Sequence, residues 1–131
     1  MSLEGSLKLK EISYIHSEAY AAGELKHGTI SLIEDGTLVV ALSTYARLFE
    51  KMRNNILEVK TRGATVLGLF TKGGGAESSK ADYALEIPQA PTMFLPSLAI
   101  IPLQLFAYYI AAMKGCDIDK PRNLAKSVTV E

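Results

Sequence analysis

The hydrophobic and polar positions near the start of the chain follow a helical period, but charged residues stand where apolar ones are expected. Stepping residues 3–17 by about 100° each, as 3.6 residues per turn requires, brings Glu4, Lys8 and Glu11 into one strip. Apolar side chains flank this strip. A polar face lies nearly opposite and consists of Ser6, Lys10, Ser13 and Ser17. Because buried charges are costly unless they are paired or used, the strip is the first candidate for a functional site.

The three charged residues of this strip allow two interpretations. Their i,i+4 and i,i+3 spacing is that of an ion-pair set near the rim of a helix, and spacing alone favours this interpretation. The functional interpretation is a carboxylate–ammonium–carboxylate row that lines a pocket and moves protons between adjacent carbons of a bound substrate. The position of the strip within the apolar arc strengthens the functional interpretation, but it does not decide between the two.

Beyond this helix the pattern alternates between strands and helices. Nearly continuous apolar runs predict buried strands at residues 37–42 and 64–70, followed by a shorter strand at residues 82–87. Helices are predicted from Ser43 or Thr44 to about residue 62, and from about residue 93 to 114. The order strand–helix–strand predicts a parallel sheet. Ser43 and Thr44 could hold a phosphate at the start of their helix, although a plain N-cap is the favoured interpretation.

Composition excludes several classes of protein. The chain has 131 residues, which suits one domain, and its 14 basic residues balance 14 acidic ones. With no net charge, no tryptophan and no basic cluster, it has no features of nucleic-acid binding. Its one cysteine, Cys116, excludes an internal disulfide and suits a reducing compartment. No spacing of histidine and cysteine indicates a metal site.

The stretch from residue 93 to 113 carries no charge over about the length of a membrane span. Pro96, Pro102 and Gln104 interrupt it, so we interpret it as a helix buried in a soluble core or a dimer interface, and we expect no membrane association. The polar tail that follows, residues 117–131, lacks periodicity and is typical of a disordered terminus. It nevertheless contains Lys126 beside small and apolar neighbours.

Two regions of the chain resemble one enzyme family. The opening residues LEGSLKLKEISYIHSEAYAAGELKHG, and the later stretches IPLQLFAYYIA and DKPRNLAKSVTVE, resemble the isomerase region of the glucosamine-6-phosphate synthases, the isomerising glutamine–fructose-6-phosphate amidotransferases. The resemblance implies an α/β fold, namely the three-layer α/β/α sugar-isomerase (SIS) fold with a parallel sheet, truncated at its N-terminal side. Residues 1–116 then correspond to part of the second SIS lobe, and residues 117–131 to a C-terminal active-site tail.

The resemblance also implies roles for particular residues. Glu11 is similar to the base that moves a proton between C1 and C2 of the sugar imine, while Glu4 and Lys8 match an acidic and a basic residue around that site. His27 matches a histidine implicated in opening the sugar ring, which in the family reaches the site of the other subunit of a dimer. Lys126 matches the lysine that forms a Schiff base with the open-chain keto sugar, and Ala125 beside it belongs to the same substrate site. One departure is Thr29, where many relatives have proline.

As a function, the resemblance implies synthesis of glucosamine 6-phosphate from fructose 6-phosphate and glutamine, the first step of amino-sugar biosynthesis. It implies a cytoplasmic homodimer without a cofactor, completed by a first SIS lobe and a glutaminase domain that this chain lacks, so that the chain alone is inactive. Two alternatives stay open. One is a related SIS deglycase or isomerase acting on another phosphosugar, and the other is a non-catalytic SIS module that binds a phosphosugar and regulates a partner.

Overall fold

The computed structural model of the chain describes residues 1–77 and 79–122. Its helices and strands occur in the order α1 (Ser2–Ser13), β1 (Leu38–Ser43), α2 (Phe49–Lys60), β2 (Thr65–Thr71), β3 (Tyr83–Ile87) and α3 (Leu95–Met113). Short 3-10 helices lie between them at Ala22–His27, Thr29–Leu32, Ala46–Leu48 and Thr92–Phe94.

The chain divides into two compact units. The terminal unit comprises Met1–Ala19 together with the chain from Ile100 onwards, and the sheet unit comprises Tyr20–Ala99. The boundary predicted between residues 116 and 117 divides the SIS lobe from the C-terminal tail. It does not correspond to the division into these two units, and it stays a prediction.

The sheet unit contains a three-stranded sheet in the order β1-β2-β3. Both pairs of strands are parallel, with Leu38 opposite Thr65 in the first pair and Leu67 opposite Tyr83 in the second. Parallel neighbours need a crossover connection, which α2 supplies between β1 and β2. The predicted parallel sheet is therefore confirmed, and each predicted strand lies within one residue of its observed bounds.

The core of the sheet unit lies between α2 and one face of the sheet. Ile56 and Val59 of α2 pack there with a cluster of buried residues, namely Ala41, Ala64, Val66 and Phe70. Gly68 lies on the same face of β2, and a Cβ there would lie 3.2 Å from that of Ala81 and closer still to the Phe70 ring. The centre strand therefore needs glycine at this position because the aromatic ring already occupies the space.

Two details of this unit differ from the sequence expectations. The first strand was expected to be buried on both faces, yet Leu38 is exposed and its neighbours Val39 and Val40 are only half-buried. This expectation is wrong because β1 lies at an edge of the described sheet, so its pairing and its burial are both one-sided. Leu48, which falls inside the predicted helix, precedes α2 and is exposed.

Helix α3 is apolar on all sides but is covered on one side only. Its buried positions follow a spacing of four residues and are Leu95, Ala99, Leu103, Ala107 and Ala111. The opposite face is exposed and carries Ile101, Leu105, Tyr108, Tyr109 and Met113. In the described part of the chain, Thr92–Met113 is the one segment long and apolar enough to cross a membrane, and core helices of soluble proteins pass the same test. The predicted apolar helix is therefore covered on one face only within the described chain, and its other face is an exposed apolar surface.

Asp82, just before β3, links three parts of the sheet unit. One of its carboxylate oxygens accepts a hydrogen bond from Lys60 Nζ at 2.5 Å, and the other accepts one from the backbone N–H of Val66 at 2.8 Å. The hydrogen bond from Lys60, followed by that from Val66, lowers the pKa of Asp82 below its ordinary value of 3.8. Asp82 therefore stabilises the fold above that pH, and its contribution is lost as the pH falls through the lowered pKa.

We expect Asp82→Asn to lower the urea midpoint of unfolding at pH 7, because the amide loses the charge that both donors favour. The difference from the wild-type chain should shrink as the pH falls below 3.8 towards the lowered pKa of Asp82, below which the folded wild-type carboxylate is itself protonated. Asp119→Asn is the matched control, since the described residues give Asp119 no ion pair. A midpoint difference that stays constant down to pH 2 would contradict this assignment.

Candidate functional site

Helix α1 carries the charged strip and ends earlier than its sequence pattern predicts. Glu4 lies in its first turn and Lys10 in its last, where each charge suits the helix dipole. The helix was expected to continue to Ser17, but it ends at Ser13 because Tyr14 adopts a left-handed conformation with φ of 60°. Ser17 then turns back towards the helix, and its hydroxyl lies 2.8 Å from that of Ser6.

A close approach between α1 and α3 positions the strip. A Cβ at Gly5 would lie 2.8 Å from Leu103 Cδ1 and 3.1 Å from Leu103 Cβ, so the helices meet where α1 has no side chain. Gly5 and Ser13 are the buried residues of α1. The strip lies next to this packed side of the helix and is only partly covered.

Within the strip, Lys8 lies between the two carboxylates. Its Nζ donates a hydrogen bond to Glu11 Oε2 at 2.8 Å and lies 3.5 Å from Glu4 Oε1. The side chains of Lys8 and Glu11 are 34% and 24% exposed, and that of Glu4 is more open at 47%. The structure therefore brings together the three residues that the helical pattern had aligned, at the edge of a packed surface. Whether they act in catalysis stays a prediction.

The charge of Lys8 is stabilised by its neighbours. The hydrogen bond to Glu11, together with the charges of Glu11 and Glu4, raises the pKa of Lys8 above 10.5, against the opposing effect of partial burial. Its ammonium group is therefore charged throughout the physiological range, and its contribution to stability declines only above pH 10.5. A fixed positive charge beside Glu11 can orient that carboxylate towards a substrate.

The serine-rich face of α1 differs from the expected polar surface. Ser13 is fully buried, and its hydroxyl donates to Leu9 O at 2.6 Å. Lys114, just past the end of α3, donates from Nζ to the carbonyl of Ser13 at 2.6 Å. The predicted polar face thus includes a buried residue, because a serine whose hydroxyl bonds to its own helix backbone can be buried without an unpaired donor.

The beginning of the polar tail is attached to the end of α1. The backbone N–H of Arg122 donates to the Tyr14 hydroxyl at 2.9 Å, and its guanidinium lies 4.1 Å from the centre of the Tyr14 ring. These contacts join residues 108 positions apart in the chain. Sequence reasoning missed Tyr14 and Arg122, and no local pattern could have paired them. Lys126 and Ala125, the expected tail residues of the site, lie outside the described residues.

The two histidines occupy exposed positions. His27 ends the 3-10 helix Ala22–His27 in the sheet unit, whereas the charged strip belongs to the terminal unit. His16 lies 3.6 Å from Glu18 and is a surface residue. Thr29, the departure from the family pattern, donates its hydroxyl to Leu25 O at 3.3 Å. Within residues 1–77 and 79–122, no cluster of three or more histidine, cysteine or carboxylate side chains is arranged to hold a metal ion.

Ser43 and Thr44 do not cap the helix that follows them. Helix α2 begins at Phe49 after a 3-10 turn, and no side chain in the described part of the chain caps it. The favoured interpretation of these residues as a plain N-cap is therefore wrong, because the intervening turn places the start of α2 five residues beyond Thr44.

Comparison with known proteins identifies the family. The model of the SIS domain matches residues 1–114. The chain belongs to the SIS domain family. This SIS chain is 60% identical over its full length to glutamine–fructose-6-phosphate aminotransferase [isomerizing] of Clostridium tetani, and 59% identical to that of Clostridium acetobutylicum. It spans 22% of the length of each of these relatives.

Solved structures agree with this assignment. The C-terminal domain of glucosamine-fructose-6-phosphate aminotransferase from Francisella tularensis superposes with a TM-score of 0.82 at 40% identity, over 88% of this chain and 32% of that one. Glucosamine-6-phosphate deaminase from Thermotoga maritima superposes with a TM-score of 0.75 at 31% identity, over 97% of this chain and 36% of that one. The expected SIS fold is thereby confirmed, as is the resemblance noted in the sequence.

We expect Gly5→Ala to lower the free energy of unfolding of this SIS chain by about 1 kcal/mol. Overpacking against Leu103 costs roughly 1–3 kcal/mol, while alanine gains at most about 1 kcal/mol over glycine within a helix. Gly23→Ala is the matched control, because among the described residues no atom beyond its two chain neighbours lies within 4 Å of the added Cβ. Urea unfolding in which Gly5→Ala is as stable as the wild-type chain would show that the helices are not in close contact at Gly5.

Proposed function

We propose that this SIS chain is the C-terminal part of the isomerase region of an aminotransferase that makes glucosamine 6-phosphate from fructose 6-phosphate and glutamine. The observation that carries this proposal is the 60% identity over the entire chain to an isomerising aminotransferase. The row of Glu4, Lys8 and Glu11, held together on α1, supports it with groups suited to proton transfer.

The proposed chemistry begins at the tail. The amine of Lys126 attacks the keto carbonyl of the open-chain sugar, forming an imine and releasing water. Ammonia derived from glutamine then replaces the lysine amine, which leaves the C2 imine of the sugar. Glu11 takes a proton from C1 and returns it at C2, while the proton of the C1 hydroxyl passes to the imine nitrogen, which converts the ketose imine into the 2-amino aldose. Ala125 lines the same sugar site beside Lys126.

The contacts of Arg122 support this role of the tail. Arg122 is held at Tyr14, which directly follows α1, the helix that carries Glu11. The end of α1 is therefore a suitable place from which a tail lysine and a helix carboxylate can act on one small sugar.

His27 and Lys8 complete the proposed set. An imidazole has two ring nitrogens that can hold or release a proton, so His27 can transfer the proton during ring opening, and we propose that it does so in the site of the partner subunit of a homodimer. Lys8 stays charged beside Glu11 and positions its carboxylate.

The proposal also involves further domains of a longer protein. The chain spans 22% of its relatives, and α3 carries an exposed apolar face. We propose that a first SIS lobe completes the sugar-phosphate site and that a glutaminase domain supplies ammonia. We further propose that the assembled enzyme is cytoplasmic and that the chain has no synthase activity by itself.

A second candidate function is deamination. The similarity to a glucosamine-6-phosphate deaminase, at 31% identity over 97% of this chain, favours it as the alternative. The two candidates differ in their nitrogen source, since only the aminotransferase couples glutamine to the sugar. Release of ammonia from glucosamine 6-phosphate by the intact protein, without glutamine-dependent synthesis, would favour the deaminase.

We expect Glu11→Gln in the intact enzyme to reduce sugar isomerisation by about 10²–10⁴-fold, the usual contribution of a general base. Glutamine hydrolysis should persist, because that reaction is proposed to occur in another domain. Glu24→Gln, an exposed carboxylate in the 3-10 helix Ala22–His27, is the matched control and should leave the rate unchanged. If Glu11→Gln lowers only the stability of the protein, the row is the ion-pair set that its spacing also allows.

We expect Lys126→Arg to abolish sugar amination while glutamine hydrolysis persists at least in part, because a guanidinium keeps the charge but stays protonated and cannot form the imine. Borohydride reduction with fructose 6-phosphate should label the wild-type enzyme at Lys126 and leave the variant unlabelled. Lys120→Arg is the control for the same exchange elsewhere in the tail. Amination by Lys126→Arg at nearly the wild-type rate would remove the Schiff-base assignment.

A further inference from the structure

Tyr14 ends α1 in a backbone conformation that is unusual for an aromatic residue. Its φ of 60° lies in the left-handed region, where helices usually end at glycine because a Cβ crowds the backbone. In the described part of the chain, Lys80 is the other residue with a Cβ and a positive φ. Such a conformation persists only where surrounding contacts compensate for it, so the contacts of the Tyr14 side chain need an explanation.

Two contacts join the side chain of Tyr14 to Arg122. The phenol oxygen accepts a hydrogen bond from the backbone N–H of Arg122 at 2.9 Å, and the guanidinium lies 4.1 Å from the ring centre, within the range of a cation–π contact. The first contact needs the tyrosine hydroxyl, whatever side chain stands at position 122. The second contact needs the ring and the guanidinium. Tyr14 therefore binds both the backbone and the side chain of the residue at which the polar tail arrives.

A second attachment lies one residue earlier, at the last residue of α1. Lys114, just past the end of α3, donates from Nζ to the carbonyl of Ser13 at 2.6 Å. The chain between Lys114 and Arg122 is itself folded into a turn, in which Asp117 Oδ1 accepts the backbone N–H of Lys120 at 3.0 Å. A segment attached at one point can rotate about it, whereas a segment attached at two adjacent residues has a defined direction. All of these contacts lie within the terminal unit.

We propose that Tyr14 is a positioning residue, which by holding Arg122 directs the C-terminal tail so that the amine of Lys126 reaches the sugar carbonyl. This inference rests on the function proposed above. Glu11 lies three residues before Tyr14, so one helix end would both carry the carboxylate and direct the tail. Tyr14 does not touch the sugar in this role. It acts through the placement of the tail, and fixed placement of reacting groups is one of the large contributions to enzymatic rates.

The contact itself can be tested in the intact protein by hydrogen–deuterium exchange, followed with overlapping C-terminal peptides. We expect the Arg122 amide to exchange about fivefold faster in Tyr14→Phe, because the hydrogen bond is lost while the ring remains. Tyr83→Phe is the matched control, since it removes the hydroxyl of an exposed tyrosine in the sheet unit. Equal exchange of the Arg122 amide in the two variants would overturn the proposal, whatever their activities.

Kinetics of amination then test whether the contact positions Lys126. We expect Tyr14→Phe to lower kcat for amination about fivefold, and Tyr14→Ala, which also loses the ring, to lower it about 10²-fold. The KM for fructose 6-phosphate and the rate of glutamine hydrolysis should stay unchanged. The rate of borohydride labelling at Lys126 should fall by the same factors. A merely structural role would instead reduce the amount of active enzyme, and hence the final extent of labelling rather than its rate.

Variants of Arg122 test the cation–π contact. Arg122→Gln should lower kcat for amination about two- to fivefold, and Arg122→Lys, which keeps a cation near the ring, should lower it less. Arg62→Gln makes the same charge change at an exposed position in the sheet unit and should leave kcat unchanged. In the Tyr14→Ala background the two Arg122 variants should no longer differ, because the ring is absent. A persistent difference there would remove the cation–π contact from the proposal.

Failure of this inference can be told apart from failure of the proposed function. If Lys126→Arg abolishes amination but the Tyr14 variants aminate at the wild-type rate, the proposed function stands and Tyr14 does not position the tail. If Lys126→Arg aminates normally, the proposed function fails and the positioning role of Tyr14 fails with it. Loss of amination in both Lys126→Arg and Tyr14→Ala, together with faster exchange at Arg122, supports both.

Discussion

The close approach of α1 and α3 at Gly5 is the constraint on which the terminal unit depends. With no side chain at this position, the backbone of α1 lies directly against Leu103, and a larger residue would have to displace it. The contact fixes the rotation of α1 about its own axis, which in turn determines where the charged strip points. Lys114 acts at the other end of the same helix by bonding the Ser13 carbonyl, where the helical hydrogen bonds have run out.

The ion-pair energies of Glu4, Lys8 and Glu11 bear on the role of this charged row. Partly exposed pairs at these spacings contribute only about 0.3–0.5 kcal/mol each, so Glu4, Lys8 and Glu11 add little to the stability of the chain. Their alignment beside a packed surface is therefore weakly explained by folding alone. The proposed proton transfer by Glu11 would supply a further reason, because it needs a carboxylate held beside a charged lysine and near the start of the tail.

Sequence reasoning predicted the features that arise from local patterns. The strands and their parallel pairing follow from apolar runs separated by a helix, and the alignment of Glu4, Lys8 and Glu11 follows from helical spacing. It failed where distant residues decide the outcome. The end of α1 depends on Tyr14, whose hydroxyl is bonded by a residue 108 positions away, and the half-exposed state of β1 depends on which strands lie beside it. Spacing also could not show that Ser43 and Thr44 would be buried without capping α2, because that depends on the turn before the helix.

The exposed face of α3 connects stability with the proposed activity. Tyr109 and Met113 are 60% and 85% exposed on a helix that carries no charge, and contiguous apolar surface of this kind usually marks an interface. The chain spans 22% of its relatives, so the proposed enzyme has ample further sequence from which to cover this face. The first lobe that is proposed to complete the sugar site and the second subunit that is proposed to receive His27 both need contact surfaces. Because α3 also positions α1 through Leu103, a partner bound to its exposed face would influence the placement of Glu11, so that assembly and catalysis would depend on the same helix.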